Sequence, residues 1–222
     1  MKKDNILFGI IGLLVGLIVG FIATNQLNRI ENNQVKPVTT AANTLPTSQP
    51  SNTKAALPAV AESIEAADKN PEDFLAQLKA GEMFARINNF PKAIEYFERA
   101  NKIRPDDYRT LVLLGNATYD SNDWEKSASW YEKALFMKPD DVDVRTDFGV
   151  TFVNRQTPDY QRAIKEFLTS LKTNPNHDPT LFNLAVAYRS IGDKIAFDET
   201  KSKIKDVELL KKLDASQNQA IQ

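Results

Sequence analysis

FLAQLKAGEMFARINNFPKAIEYFERANKIRP, residues 74–105, divides at Asn88-Asn89 into two amphipathic halves. The first half carries Phe74, Leu75, Leu78, Phe84 and Ala85 at helical spacing. Asn88-Asn89 then break the pattern, because asparagine tolerates the left-handed turn conformation. The second half starts with Pro91, placed where a helix start does not need the missing N–H. Its inner face is Ala93, Ile94, Phe97 and Ala100. Pro105 ends it, and Asp106 or Asp107 supplies a cap for whatever helix follows. The stretch therefore predicts two helices joined by a tight turn.

Working outward, the same unit returns. Pro71, Pro105 and Pro139 are 34 residues apart, and Pro175 arrives two residues late. With Phe74, Tyr108, Val142 and Asp178 as position 1, position 8 is Gly81, Gly115, Gly149 and Ala185. Position 20 is Ala93, Ser127 and Ala163, position 24 is Phe97, Tyr131 and Phe167, and position 27 is Ala100, Ala134 and Ser170. A period of this length is the signature of a solenoid. The small residues are expected where the two helices of one unit touch, with the aromatic at position 24 filling space against the next unit. The late proline reads as two extra residues in the turn NRQTPDY of the third unit. Position 4 departs from a large apolar residue at Gln77 and Arg145 but keeps it at Leu111 and Leu181.

This pattern closely resembles the tetratricopeptide repeat family over residues 59–213. The turn positions fit too: Asn88-Asn89-Phe90, Asn122-Asp123-Trp124, Pro158-Asp159-Tyr160 and Gly192-Asp193-Lys194. The resemblance implies an all-α solenoid. It implies a half-repeat cap at 59–73, repeats at 74–107, 108–141 and 142–177, and a diverged repeat with its cap at 178–213. The cap reading rests on a charged final stretch with a narrow apolar line of Phe197, Ile204 and Val207. Residues 214–222 are read as a disordered tail.

The resemblance also implies a binding function rather than catalysis. In the family the first helices line a concave groove. Carried onto this chain, the groove residues are Arg109, Val112, Asn116, Tyr119, Thr146, Val150, Phe182, Asn183, Val186 and Arg189. An apolar floor, Asn amides and two arginines suit an extended peptide or an amphipathic helix as partner. The carboxylate clamp of chaperone-tail-binding members is not expected, since Leu78, Glu82 and Asp147 stand where Lys, Asn and a basic residue belong.

Ahead of the repeats, ILFGIIGLLVGLIVGFIA (residues 6–23) is uncharged and nearly all apolar. About 20 such residues cross a bilayer, so segment 1–27 reads as a transmembrane signal-anchor. Lys2 and Lys3 favour a cytoplasmic N-terminus and hence, in a bacterial inner membrane, a periplasmic repeat domain. A cleaved signal peptide is the competing reading, with bulky Phe21 at −3 if Ala23 were −1. Gly12, Gly16 and Gly20 form a stripe of the kind that lets two membrane helices pair, which keeps a homodimer open. Residues 28–58, with Pro37, Pro46, Pro50 and Pro58, read as a flexible linker.

The totals narrow the function further. A net charge of −1 gives no electrostatic claim on nucleic acid. Without cysteine there is no thiolate chemistry, Cys-based zinc site or acylated lipoprotein anchor. His177, the one histidine, sits in an inter-repeat turn with no evident partner. The Asp pairs at 106–107 and 140–141 follow Pro and read as helix caps. Trp124, Trp130 and Tyr131 fall on packing positions without a basic stripe beside them. No cofactor, metal or catalytic constellation is expected, and three functions remain open: a membrane-anchored scaffold for assembly or chaperoning of an envelope complex, a structural membrane oligomer, and a secreted binding module.

Overall fold

The computed structural model describes residues 53–219, and side-chain burial over 61–215. The described residues form ten α-helices and no strand. They are α1 (Thr53–Lys69), α2 (Phe74–Arg86), α3 (Phe90–Ile103), α4 (Tyr108–Asp120), α5 (Trp124–Met137), α6 (Val142–Asn154), α7 (Tyr160–Thr173), α8 (Asp178–Ser190), α9 (Lys194–Lys201) and α10 (Val207–Gln219). The unit Pro37–Asp214 holds the solenoid; of a second unit, residues 1–36 and 215–222, only the helical Ala215–Gln219 is described. The anchor reading of 1–27, with Gly12, Gly16 and Gly20, lies outside the described residues, as does the linker up to residue 52. Among the described residues no helix is long and apolar enough to cross a membrane.

Caps set the helix starts. Asp73, Asp107 and Asp141 accept backbone N–H bonds at the starts of α2, α4 and α6. Asn89, Asp123, Asp159 and Asp193 do so for α3, α5, α7 and α9. These bonds satisfy amides that a helix start leaves unpaired. Asn88 (φ 59°), Asn122 (φ 63°) and Gly192 (φ 77°) take the left-handed turn position. Asn89, Asp123 and Asp193 then donate to the carbonyls of Phe84, Thr118 and Tyr188, five residues back. In the third unit Asp159 donates to Phe152, seven residues back. The insertion is thus two residues looped out of an otherwise conserved closure.

Within a unit the two helices approach at a glycine. A Cβ built on Gly81, Gly115 or Gly149 would lie 2.4, 2.4 or 2.5 Å from the ring of Phe97, Tyr131 or Phe167. The aromatic at position 24 therefore packs on the first helix of its own unit. This corrects its assignment to the next unit alone, although Phe97 also shares a core with Leu113, Leu114 and Ala117 of α4. Ser127 Oγ donates to the Gly115 carbonyl at 2.8 Å, which explains a hydroxyl at a small-residue position. Trp124 is half-buried and Trp130 packs between the two core clusters, as packing residues should.

The two polar residues at position 4 have a common use. Gln77 Nε2 donates to Ala67 O at 2.7 Å and Asn70 O at 3.4 Å, closing the end of α1. Arg145 Nη2 donates to Pro139 O at 2.8 Å, in the turn after α5. Arg145 Nη1 also meets the buried Glu166 Oε2 at 2.8 Å, while Arg162 Nε lies 3.1 Å from Oε1.

The ends differ from expectation. The first helix starts at Thr53 and includes Pro58, so the repeat domain begins ahead of the expected boundary at Ala59. At the other end α9 is cut to eight residues, and a further helix follows rather than one drifting cap. Asp206 accepts from Glu208 N and Leu209 N to start α10, and Asp178 ties down Lys205 N and Asp206 N. Phe197 and Ile204 are buried as expected, but Val207 is exposed; Leu209 and Leu213, one helical turn apart, take the inward face. The helix runs to Gln219, which replaces the disordered tail over 214–219.

Candidate functional site: the face of the first helices

The first helices α2, α4, α6 and α8 are joined side by side. Arg109 on α4 pairs with Glu82 on α2. Asn154 Nδ2 on α6 donates to the Tyr119 hydroxyl on α4 at 2.5 Å. Thr146 and Thr180 share a hydrogen bond of 2.5 Å between α6 and α8. Equal repeat spacing thus becomes a continuous four-helix face.

The predicted groove residues separate into two sets on that face. Val112, Asn116, Thr146, Val150, Phe182, Asn183 and Val186 are buried. Arg109 is exposed, and Tyr119 and Arg189 are half-buried. The periodicity fixes which face a residue takes; it does not fix how far that face is covered. Asn116 is not a spare amide, because its Oδ1 accepts from the Tyr131 hydroxyl at 2.7 Å. Arg189 Nη1 donates to Leu213 O at 3.2 Å, and burial pulls its guanidinium below the usual pKa. Burial, reinforced by Asp147 and Asp120, pushes the Tyr119 phenol up, so it stays a neutral hydroxyl. Of the predicted groove residues, Arg109, Tyr119 and Arg189 therefore keep accessible polar surface, with Glu82 and Asp143 on the other two first helices.

His177 has partners that the sequence did not reveal. Its Nδ1 is 2.6 Å from Thr180 Oγ1 and its Nε2 is 3.1 Å from Asp143 Oδ1. Hydroxyl, imidazole and carboxylate in a row have the order of a nucleophilic triad. Thr180 is completely buried, however, and its hydroxyl is tied to Thr146 and Ser170. No substrate reaches it, so the row fastens unit three to unit four. One signal was available: His177 replaces the Asp that caps α2, α4 and α6, and it makes no side-chain cap bond. Among the described residues no group of His, Cys, Asp or Glu is arranged to hold a metal ion.

Residues 51–108 match a family profile described as the tetratricopeptide repeat. No curated protein matches the chain. Among solved structures, YrrB, described as a TPR protein with an unusual peptide-binding site, is similar at 20% identity over 86% of this chain and 97% of its own, with a TM-score of 0.63. MamA from Desulfovibrio magneticus RS-1 is similar at 15% identity over 73% of this chain and 88% of its own, with a TM-score of 0.63. A MamA structure designated MSR-1 is similar at 19% identity, covering 75% and 90%, with a TM-score of 0.57. These identities speak to the fold.

Proposed function

We propose that this chain, which carries the tetratricopeptide repeat and folds as its solenoid, is a non-covalent scaffold that holds a segment of a partner protein against its first helices. The observation that carries the reading is the joined face of α2, α4, α6 and α8, on which Arg109, Tyr119 and Arg189 keep accessible polar groups above a packed floor. Peptide binding by YrrB is consistent with it. An extended segment or helix with acidic side chains suits two arginines. The buried set, including Phe182 and Val150, shapes the floor rather than touching the ligand.

The proposal includes the N-terminal anchor in a bacterial inner membrane, with the solenoid on the periplasmic side. The apolar run of residues 6–23 supports it. A tether raises local concentration, so weak affinity suffices for assembly or chaperoning of an envelope complex. N-terminal sequencing of the mature protein tests the anchor: an intact Met1 region is expected, and a start near Asn25 contradicts it.

For the face itself, Arg109→Ala with Tyr119→Ala is the informative variant. Both groups are accessible, and each makes one cross-helix contact. Co-purification of the partner is expected to fall at least about tenfold, equivalent to roughly 1.4 kcal/mol, while helix content by circular dichroism is retained. Undiminished co-purification with this variant rules out the face.

A further inference from the structure

Beside the two-residue insertion of the third unit lies a cavity that contains none of the predicted groove residues. It has a volume of about 420 Å³ and lies between α5 and the α6–α7 turn. Its apolar floor is Phe148 and Phe152, set edge to face at 5.0 Å. Arg155, in the inserted turn, and Arg162, in the first turn of α7, place their guanidinium carbons 4.3 and 5.5 Å from the Phe152 ring centre. The Arg155 Nε is buried without a hydrogen-bond partner, a state that needs an explanation in a native fold, whereas the Arg162 Nε faces Glu166 Oε1 at 3.1 Å.

The charges are layered. On the inside, Arg145 and Arg162 share the single buried carboxylate of Glu166, which leaves a surplus positive charge. Arg155 adds another; its side chain is 26% exposed and its nearest acid, Glu125, is 3.7 Å away and 68% exposed. On the outside, Glu125 and Glu132 sit in solvent. Asp159 is occupied in capping α7 through Arg162 N at 3.0 Å. Charges in water are screened several-fold more than charges against a protein wall. Arg155 is therefore the cationic group that the cavity offers to a ligand; the N-terminus of α7 is already met by its cap, the Asp159 carboxylate.

We propose that this cavity is a second binding site, one for a carboxylate group on a compact aromatic or apolar body. The ring lies on Phe148 and Phe152, and the carboxylate pairs with the guanidinium of Arg155. Glu125, the solvated competitor of the ligand for Arg155, opposes binding.

The test uses the full chain and ligand-observed ¹⁹F NMR with 4-fluorobenzoate as probe. Saturable line broadening is expected with 4-fluorobenzoate, and at least about fivefold weaker binding with Arg155→Gln. Lys102→Gln, an exposed exchange on α3 outside both the cavity and the first-helix face, leaves it unchanged. Glu125→Gln, an exposed exchange that leaves the core alone, tightens it about twofold. Neutral 4-fluorobenzamide and cationic 4-fluorobenzylamine are expected to show no saturable broadening. An equal response to 4-fluorobenzamide, preference for 4-fluorobenzylamine, full binding by Arg155→Gln or weaker binding by Glu125→Gln would each overturn the proposal.

Discussion

Glu166→Ala is expected to remove about 3–5 kcal/mol of stability, the scale for breaking a buried ion pair from one side. Glu166 is buried in α7, and its two oxygens face Arg145 at 2.8 Å and Arg162 at 3.1 Å. Arg162 is 38% exposed and recovers hydration when its partner goes. Arg145 is only 16% exposed and keeps just the Pro139 carbonyl. Most of the loss is thus the cost of an uncompensated charge on α6. The double variant Glu166→Leu with Arg145→Leu should recover much of that stability, because apolar replacement of a buried pair is often neutral or better. Urea denaturation of the single and double variants reads both. A loss below about 1 kcal/mol for Glu166→Ala would mean that the pair is not buried in solution.

Gly115→Ala is the second large effect, and its sign is the interesting part. Alanine normally favours a helix over glycine by about 1 kcal/mol. Here the added Cβ would lie 2.4 Å from the Tyr131 ring. That ring is completely enclosed and is held by its bond to Asn116 at 2.7 Å. Overpacking costs about 1–3 kcal/mol, so the net result is a destabilisation of up to about 2 kcal/mol. In a Tyr131→Ala background the obstacle is gone, and Gly115→Ala should become stabilising by up to about 1 kcal/mol. The fourth unit supplies the internal control: position 8 is already Ala185, and position 24 opposite it is Lys201 rather than an aromatic. Ala185 is completely buried, so Ala185→Gly should lose more than about 1 kcal/mol, from propensity and from the lost methyl together. Thermal unfolding of the four variants gives the comparison, and stabilisation by Gly115→Ala in the presence of Tyr131 contradicts the packing described.

That pairing of glycine with a ring was readable because it is local and repeated. Gly81, Gly115 and Gly149 recur in phase with Phe97, Tyr131 and Phe167, and both sides of the contact lie in one unit. Turn chemistry was readable for the same reason. Asn88 and Asn122 declare left-handed turns, and the delayed Pro175 declares the loop that Asp159 closes seven residues back. What escaped depends on contacts between units. Gln77 and Arg145 looked like lost apolar positions; in space they reach the carbonyls of the preceding turn. His177 looked solitary because Asp143 belongs to the preceding first helix. Periodicity placed Val150 and Phe182 on the first-helix face, but only the packed structure shows them buried. The final helix was missed because its stripe is only Leu209 and Leu213, in a charged segment.

The burial pattern also changes where the binding face should be probed. Asn116 and Phe182 would seem natural reporters from spacing alone, yet both are buried. Arg109 and Tyr119 keep accessible surface on α4, and Lys133 is an exposed residue of α5, a second helix. The most direct measurement is in-cell photocrosslinking with a photoreactive amino acid placed at position 109, 119 or 133 in turn. The proposed function predicts one shared protein adduct from 109 and 119 and none from 133. Adducts of equal yield from all three positions, or from 133 alone, would contradict it.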